Sequence, residues 1–142
     1  MKTYLKIISA FLLIFNGVGA LYGGWNLISH PDGSSIHMSI DWLKHSPFDN
    51  YLIPGIILFI ANGIASIIVL FALLFNYPKY SWLIIAEGAI LTGWIIIQIQ
   101  LIQTVYFLHF IMGGTGILLI ISGYILLRID DRLIETNVKS DN

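Results

Sequence analysis

Long apolar stretches dominate this chain and are separated by short polar ones. Segments 7–29, 52–76 and 81–127 contain only one formally charged side chain, that of Glu87. A helix of about 20 apolar residues is long enough to cross a hydrocarbon layer of about 30 Å. The last segment is about twice that length, so it must fold back on itself. The pattern therefore predicts four membrane-spanning helices.

The predicted boundaries follow these runs. Pro54 falls in the first turn of the second helix, where its missing N–H costs nothing. The turn between the third and fourth helices is placed in the polar stretch from Gln98 to Thr104, which no Gly or Pro marks. The predicted fold is an all-α, polytopic membrane four-helix bundle that forms a single domain, 1–142. The expected segments are spans 4–28, 53–75, 81–102 and 106–128, an external loop 29–52 and a cytoplasmic tail 129–142.

Composition supports a membrane protein and excludes several function classes. Hydrophobic residues make up 57% of the chain and charged residues 11%, with a mean hydropathy of +0.84. Soluble domains carry about 25% charged residues. The net charge of −1 provides no basic field for nucleic acid, so the expected surroundings are a lipid bilayer. The absence of cysteine excludes thiol chemistry, disulfides and cysteine metal sites.

Two features of the N-terminal region support different predictions. Lys2 and Lys6 precede an apolar stretch, and residues 18–20 (Val-Gly-Ala) loosely resemble a signal-peptidase site. The apolar run nevertheless continues to Ile28, which gives it the length of a full span. We expect a retained first helix, with a cleaved signal as the alternative.

The distribution of basic residues predicts the orientation. With four spans, six basic residues fall on one side of the membrane and Lys44 alone falls on the other. Basic residues concentrate on the cytoplasmic side of membrane proteins, so both termini are expected in the cytoplasm. The six are Lys2, Lys6, Lys79, Arg128, Arg132 and Lys139.

Small residues at helical spacing indicate where helices approach one another, because lipid-embedded helices associate through close backbone packing. We expect these faces to pack within the bundle. The alternative is contact with a second copy of the chain, through the first or fourth helix, or with another membrane protein. The residues concerned are Asn16, Gly19, Ala20, Gly23 and Gly24 in the first helix, Ala86, Ala89 and Gly93 in the third, and Gly113, Gly116 and Gly123 in the fourth.

The external loop contains the remaining local signals. Residues 31–34 (Pro-Asp-Gly-Ser) are typical of a turn. Ser39 is suited to cap a short amphipathic helix of two turns, Ile40 to His45, which Pro47 ends. Such a helix is expected to lie at the membrane interface, folded over the mouth of the bundle.

The loop resembles that of a widespread group of small, uncharacterised bacterial four-helix membrane proteins. The shared pattern is a Pro-x-Gly turn, a short helix, Ser-Pro-Phe, an acidic residue, an aromatic residue and Ile-Pro-Gly, here within residues 30–55. The third helix is similar as well, with Glu87, Trp94, Gln98 and Gln100. The resemblance implies four spans in a bacterial plasma (inner) membrane, and it implies no activity.

Glu87 is the strongest candidate for a functional residue. A carboxylate inside a membrane is expensive unless it faces the protein interior, and no span contains Lys or Arg to neutralise it. We predict a polar cluster in the membrane interior that serves as a hydrogen-bond clamp, a proton or cation site, or another ligand site. Its members are Glu87, Asn16, Asn62, Trp94 and Gln98.

A metal site in the loop is a weaker hypothesis. His37, Asp41 and His45 are spaced four residues apart, which on one continuous helix places three ligands on one face. If Ser39 caps the helix, His37 precedes it, and the spacing no longer places the three residues on one helical face. A solvated polar face explains the same residues, so no metal and no cofactor are expected.

Familiar catalytic motifs are absent from the sequence, including Gly-x-Ser-x-Gly, a phosphate-binding glycine loop and His-Glu-x-x-His. The favoured hypothesis is a non-enzymatic helix-bundle component that interacts with lipid or protein partners. The alternative is an oligomeric proton- or cation-linked transporter or channel subunit that uses Glu87. An intramembrane lipid enzyme with its site beneath the loop is a third and weaker hypothesis.

Overall fold

The computed structural model describes residues 1–140, with side chains for residues 1–136. Each of its four long helices is apolar and long enough to cross a membrane, helix 4 over Phe107–Thr136. Within the described residues there is no strand. The all-α, four-helix prediction is confirmed. The helices are Lys2–Ser29 (helix 1), Leu52–Leu74 (helix 2), Tyr80–Ile102 (helix 3) and Phe107–Ser140 (helix 4).

The helices form a closed bundle in which each packs against two neighbours along its length. Helix 1 contacts helices 2 and 4, and helix 3 contacts helices 2 and 4, with the largest interface between helices 1 and 2. Leu13, Ile84, Leu119 and Leu126 are completely buried where helices 1, 3 and 4 meet. Large apolar side chains on the outside of all four helices remain exposed, as a surrounding bilayer requires.

Helices 3 and 4 approach most closely at Gly88 and Gly116. A Cβ atom added to Gly88 would lie 2.6 Å from the carbonyl oxygen of Gly116. The third-helix face predicted from sequence is wrong, because Ala86 and Ala89 are exposed and Gly93 has open space around it. At about 100° per residue, one position along the helix is enough to turn a small residue away from its partner.

Helix 1 packs against helix 2 through part of its predicted face. Asn16, Ala20 and Gly24 are buried, and a Cβ atom on Gly24 would lie 2.8 Å from the backbone nitrogen of Phe59. Gly19, on the same predicted face, is exposed and has no neighbour within 4 Å. The face that packs is therefore narrower than the small-residue pattern suggests.

Helix 2 contains a π-helical segment, Leu58–Ile64, near its middle. At the end of this segment the N–H of Ala65 donates to the carbonyl of Ile60, five residues back. Such a segment widens the helix and changes which side chains face the core, and it is often found at functional sites. Asn62 lies within it.

The turns at the two ends of helix 3 rely on residues other than glycine. Asn76, between helices 2 and 3, and Gln103, after helix 3, both have left-handed backbone conformations, with φ of 52° and 54°. The Gln103 N–H donates to the carbonyl of Ile99 over 2.9 Å and closes the helix. The chain turns within residues 103–106, at the end of the polar stretch.

Helix 4 extends beyond its predicted end. The segment after residue 128 was expected to be a tail, but it continues the helix to Ser140, and residues 141–142 lie outside the described part. Asp130 on this extension forms a 2.5 Å ion pair with Lys2 and accepts a 3.2 Å hydrogen bond from Ser81. These contacts join the ends of helices 1, 3 and 4.

Residues 30–51 form a cap over the opposite end of the bundle. The predicted two-turn helix is shorter than expected: the cap contains two 3-10 helices, Ser34–Ile36 and Ile40–Leu43. Ser39 does cap the second, since its hydroxyl accepts a hydrogen bond from the N–H of Asp41. A small apolar core of Leu27, Leu43 and Tyr51 fixes the cap to the end of helix 1.

Candidate functional site

Glu87 lies at the centre of a polar cluster that three helices build. Its side chain is 1% exposed. The carboxylate oxygen Oε1 accepts hydrogen bonds from the Ser66 hydroxyl at 2.7 Å and from the Asn16 amide nitrogen at 3.2 Å. Helix 1 supplies Asn16, helix 2 supplies Ser66 and helix 3 supplies Glu87. The predicted inward orientation of the acid is what the structure shows.

No cation neutralises this carboxylate within the side chains that the structure describes. The two ion pairs found there join Lys2 to Asp130 and Lys44 to Asp41, both at the ends of the bundle. Both partners of Glu87 are neutral. The acid therefore lies in the interior of the bundle with hydrogen bonds and without a compensating charge.

Ser66 belongs to the cluster but was missed by the sequence analysis. Its hydroxyl donates to Glu87 and accepts a 2.8 Å hydrogen bond from the amide of Asn16. Ser66 follows Asn62 by four residues in an otherwise apolar run, so its helical spacing was the available signal. Serine is common in membrane helices, which made that signal weak.

Asn62 is beside the cluster without a side-chain partner. It is fully buried, and its backbone carbonyl accepts a 3.4 Å contact from the Asn16 amide. Neither polar atom of its own side chain has a hydrogen-bond partner among residues 1–136. Buried polar groups are almost always paired, so an unpaired amide in this position requires an explanation.

Trp94 and Gln98, the other predicted members, lie closer to the cap than Glu87 does. Both line a small cavity of about 20 Å³ between the bundle and the cap, which Met38 and Tyr51 line from the cap side. The indole nitrogen of Trp94 is buried and has no hydrogen-bond partner in the part of the chain whose side chains are described. The predicted cluster thus divides into a hydrogen-bonded part around Glu87 and a part beneath the cap.

Hydrogen bonds and burial set the protonation of two groups in the cap. Burial, reinforced by the nearby Tyr106, raises the pKa of Tyr51 to about 12, and its hydroxyl donates a 2.7 Å bond to the Ser39 carbonyl. Hydrogen bonds from the Ser34 hydroxyl and backbone N–H hold the pKa of the exposed Asp32 carboxyl below its usual value. Both groups stabilise the loop conformation.

The hypothetical metal ligands of the loop are not brought together. His37 has a left-handed conformation (φ 58°) before the Ser39 cap, and His45 follows the 3-10 helix, so the helix does not align them. Asp41 instead pairs with Lys44 at 3.0 Å. Among the described side chains, no group of three or more acidic or histidine residues is arranged to hold a metal ion.

Comparisons with known proteins found no match: no family model, no curated protein and no solved structure is significantly similar to the chain.

Proposed function

We propose that this protein is a small, non-enzymatic membrane component that binds and exchanges a proton or a small cation at Glu87, as a transporter or channel subunit does. One observation carries the proposal. Glu87 is buried in the bundle, and among the described side chains its hydrogen-bond partners are only the neutral groups Asn16 and Ser66. When Glu87 is ionised, its negative charge is therefore not compensated by any of these partners.

An isolated charge in the interior of a membrane protein is energetically costly. An unpaired carboxylate in a low-dielectric interior is destabilised by several kcal/mol, which binding of one positive charge removes. A proton converts the carboxylate to a neutral acid, and a small cation forms an ion pair with it. The Ser66 hydroxyl and the Glu87 carboxylate provide oxygens, the ligands that hard cations prefer, whereas Asn16 presents its amide nitrogen to the site.

A purely structural clamp explains the site less well. A clamp requires only mutual hydrogen bonds, and an amide at position 87 would provide them without burying an acid. A clamp also leaves the unpartnered amide of Asn62 unexplained. A site that binds and releases a proton or a cation provides a use for both the buried acid of Glu87 and the amide of Asn62.

The hypothesis of a component that acts through helix contacts has its own supporting observation. Gly19, Gly93 and Gly114 have no atom within 4 Å of an added Cβ, so they leave room beside three helices. Another membrane helix could approach closely at such positions. Cross-linking in membranes tests this proposal: Gly19→Ile should abolish cross-linked species, and their persistence would argue against it.

Location and orientation belong to the same proposal. Lys2, Lys6, Lys79 and Arg128 lie near the end of the bundle opposite the cap, which supports cytoplasmic termini, and the resemblance of the loop supports a bacterial plasma membrane. Because the chain has no cysteine, single cysteines introduced at Ser34 and Lys79 can be labelled from either side. Labelling of both from the same side would contradict this orientation.

Ion flux through proteoliposomes tests the proposed function. Vesicles that contain the purified protein should dissipate an imposed proton, Na⁺ or K⁺ gradient faster than protein-free vesicles. Glu87→Gln keeps the size and hydrogen bonding of the side chain but removes its charge, so it should abolish this difference. Glu135→Gln removes the chain's other glutamate, which is exposed, and should leave the flux unchanged.

Two results would contradict the proposed function. Equal flux through wild-type and Glu87→Gln protein would mean that the acid takes no part in transport. No flux from the wild-type protein for any of the three ions would remove the transport proposal and favour a component that acts through partners.

A further inference from the structure

An open apolar groove lies on the outside of the bundle between helices 2 and 3, near the end opposite the cap. Its volume is about 300 Å³, which is within the range of small-molecule sites, about 300 to 1,000 Å³. Every residue that lines it is aliphatic or aromatic. They are Ile68, Phe71, Ala72, Phe75, Tyr77 and Leu83.

The periodicity of helix 2 aligns the groove with the helix axis. Four of the lining residues have the spacing i, i+3, i+4 and i+7, which places them along one face of the helix. From Ile68 to Phe75 this face covers two turns, about 10 Å. One leaflet of a bilayer contains about 15 Å of hydrocarbon, half of the apolar core. A groove with this direction and length matches the upper part of a lipid acyl chain.

The floor and the wall of the groove are fixed in different ways. Ala72 and Leu83 form the floor, since both are partly buried and pack against the core of the bundle. Phe71 and Phe75 form the wall with stacked rings whose centroids are 6.1 Å apart. These two rings are 51% and 79% exposed. The groove is therefore preformed, which lowers the entropic cost of binding a flexible chain.

A lysine lies at the aqueous end of the groove. Lys79 precedes Leu83 by one helical turn, and the Leu83 N–H donates to the Lys79 carbonyl over 3.1 Å, so the two share a face of helix 3. Lys79 is exposed, and among the described side chains it takes part in no ion pair. No acidic residue lies in the first turn of helix 3. The charge of Lys79 can therefore meet an anion at the membrane surface.

The surroundings of the turn before helix 3 are also positive. Lys6 of helix 1 donates to the side-chain oxygen of Asn76, and its ammonium group lies 4.7 Å from the centre of the Tyr80 ring. Asp130, the acid that contacts the start of helix 3, is already paired with Lys2. Basic residues beside a membrane attract lipids with negative headgroups.

We propose that this groove binds one anionic phospholipid from the leaflet opposite the cap, with an acyl chain in the groove and the phosphate at Lys79. The apolar lining selects a hydrocarbon chain, and the lysine selects a negative headgroup. Tyr77, which lines the groove and is 55% exposed, lies at the headgroup level that amphipathic rings prefer.

A second copy of the chain fits the groove less well than a lipid does. Copies in one membrane have the same orientation, so a symmetric contact through the groove would bring two Lys79 side chains together at one level. Like charges repel, whereas a phosphate and a lysine attract each other. The lipid site does not involve Glu87, and its test is independent of ion transport.

Native mass spectrometry of the full chain in detergent micelles tests the lipid site. The protein is titrated with phosphatidylglycerol, which is anionic, or with phosphatidylcholine of identical acyl chains, which has no net charge. We expect each chain to retain one phosphatidylglycerol and to bind it about fivefold more tightly than phosphatidylcholine, the factor for one lysine beside a negative headgroup. Equal affinity for the two lipids would overturn the proposal.

Substitutions separate the headgroup from the acyl chain. Lys79→Gln should lower the affinity for phosphatidylglycerol to that for phosphatidylcholine, which should itself stay unchanged. Phe75→Ala removes part of the wall at an exposed position, so both lipids should bind about threefold more weakly through lost carbon–carbon contacts. Arg132→Gln is the matched control, because it removes an exposed basic residue from helix 4 near the same end. A loss of preference in Arg132→Gln as large as in Lys79→Gln would mean a general charge effect and would overturn the site.

Photo-cross-linking in vesicles locates the bound lipid. A phosphatidylglycerol with a photoreactive group in its acyl chain should label residues 68–83 above the rest of the chain, and Phe75→Ala should reduce that labelling. Labels spread evenly over the outside of all four helices would mean ordinary surrounding lipid. A dimer that persists in place of lipid-bound monomers in the mass spectra would assign the groove to a second copy. Either result would overturn the proposal.

Discussion

The two asparagines near Glu87, Asn16 and Asn62, have opposite effects on the stability of the fold. The amide of Asn16 donates to Glu87 and to Ser66, so it holds helices 1, 2 and 3 together. The side-chain amide of Asn62 bonds to none of the described residues. One asparagine therefore contributes hydrogen bonds to the fold, and the other contributes only the cost of burying its amide.

This difference gives a prediction about stability. Asn16→Leu should lower the free energy of unfolding by about 1 to 3 kcal/mol, because it leaves buried partners unpaired. Asn62→Leu should leave that free energy unchanged or raise it by about 1 kcal/mol, because it removes an unpaired group. Equilibrium unfolding of both variants in mixed micelles measures the two changes. A loss in Asn62→Leu as large as that in Asn16→Leu would show that the Asn62 amide has a structural partner.

At the scale of elements, the contact between helices 3 and 4 depends on two glycines that face each other. Gly88 and Gly116 place the two backbones so close that each carbonyl lies within 3 Å of the other's added Cβ. Gly93, five residues further along helix 3, has open space instead. The two glycines of helix 3 thus form a matched pair for mutation.

Alanine at these two positions should have effects of opposite sign. Gly88→Ala should destabilise the bundle by about 1 to 3 kcal/mol, because the methyl group forces the helices apart. Gly93→Ala should be neutral or stabilising by up to about 1 kcal/mol, since alanine favours helix more than glycine does. Thermal unfolding in detergent compares the variants. Equal effects would mean that helices 3 and 4 do not meet at Gly88.

The cap is a separate element with its own pH dependence. Folding raises the pKa of Tyr51 from 10.0 to about 12, so the folded cap holds the neutral phenol more firmly than the unfolded cap does. Its contribution to stability is complete below about pH 10 and is lost as the pH rises through about 12. Protease cleavage of the cap should therefore accelerate over that range. Tyr51→Phe should remove the acceleration, and an unchanged profile would assign it to other groups.

These elements could be predicted from sequence where their signal is local, and could not be predicted where they depend on a neighbouring helix. The length of the apolar stretches was sufficient to predict four helices. The cost of a charge in lipid was sufficient to predict that Glu87 faces inward. The π-helical segment around Asn62 and the contact at Gly88 could not be predicted, because both depend on the neighbouring helix rather than on local spacing. The extension of helix 4 past Arg128 was missed because a polar, solvated helix has no hydropathy signal.

At the scale of the whole molecule, the two ends of the bundle are closed differently. Charged contacts, including the pair between Lys2 and Asp130, join the helices at one end. Neutral contacts hold the cap at the other, among them the ring packing of Trp42 on Tyr106 at 5.3 Å. Among the described residues, the buried side chains without a hydrogen-bond partner lie towards both ends, Asn62 and Trp94 towards the cap and Tyr80 towards the other end.

The most direct test of the account is an equilibrium infrared titration of Glu87 in reconstituted protein. The wild-type spectrum, minus that of Glu87→Gln, should contain a protonated carboxyl band at low pH that disappears reversibly as the pH rises. If the site also accepts a cation, added Na⁺ or K⁺ should move that transition to lower pH. A difference spectrum that stays constant from acid to alkaline pH, with every cation tested, would show that Glu87 is a fixed part of the fold and would contradict the account.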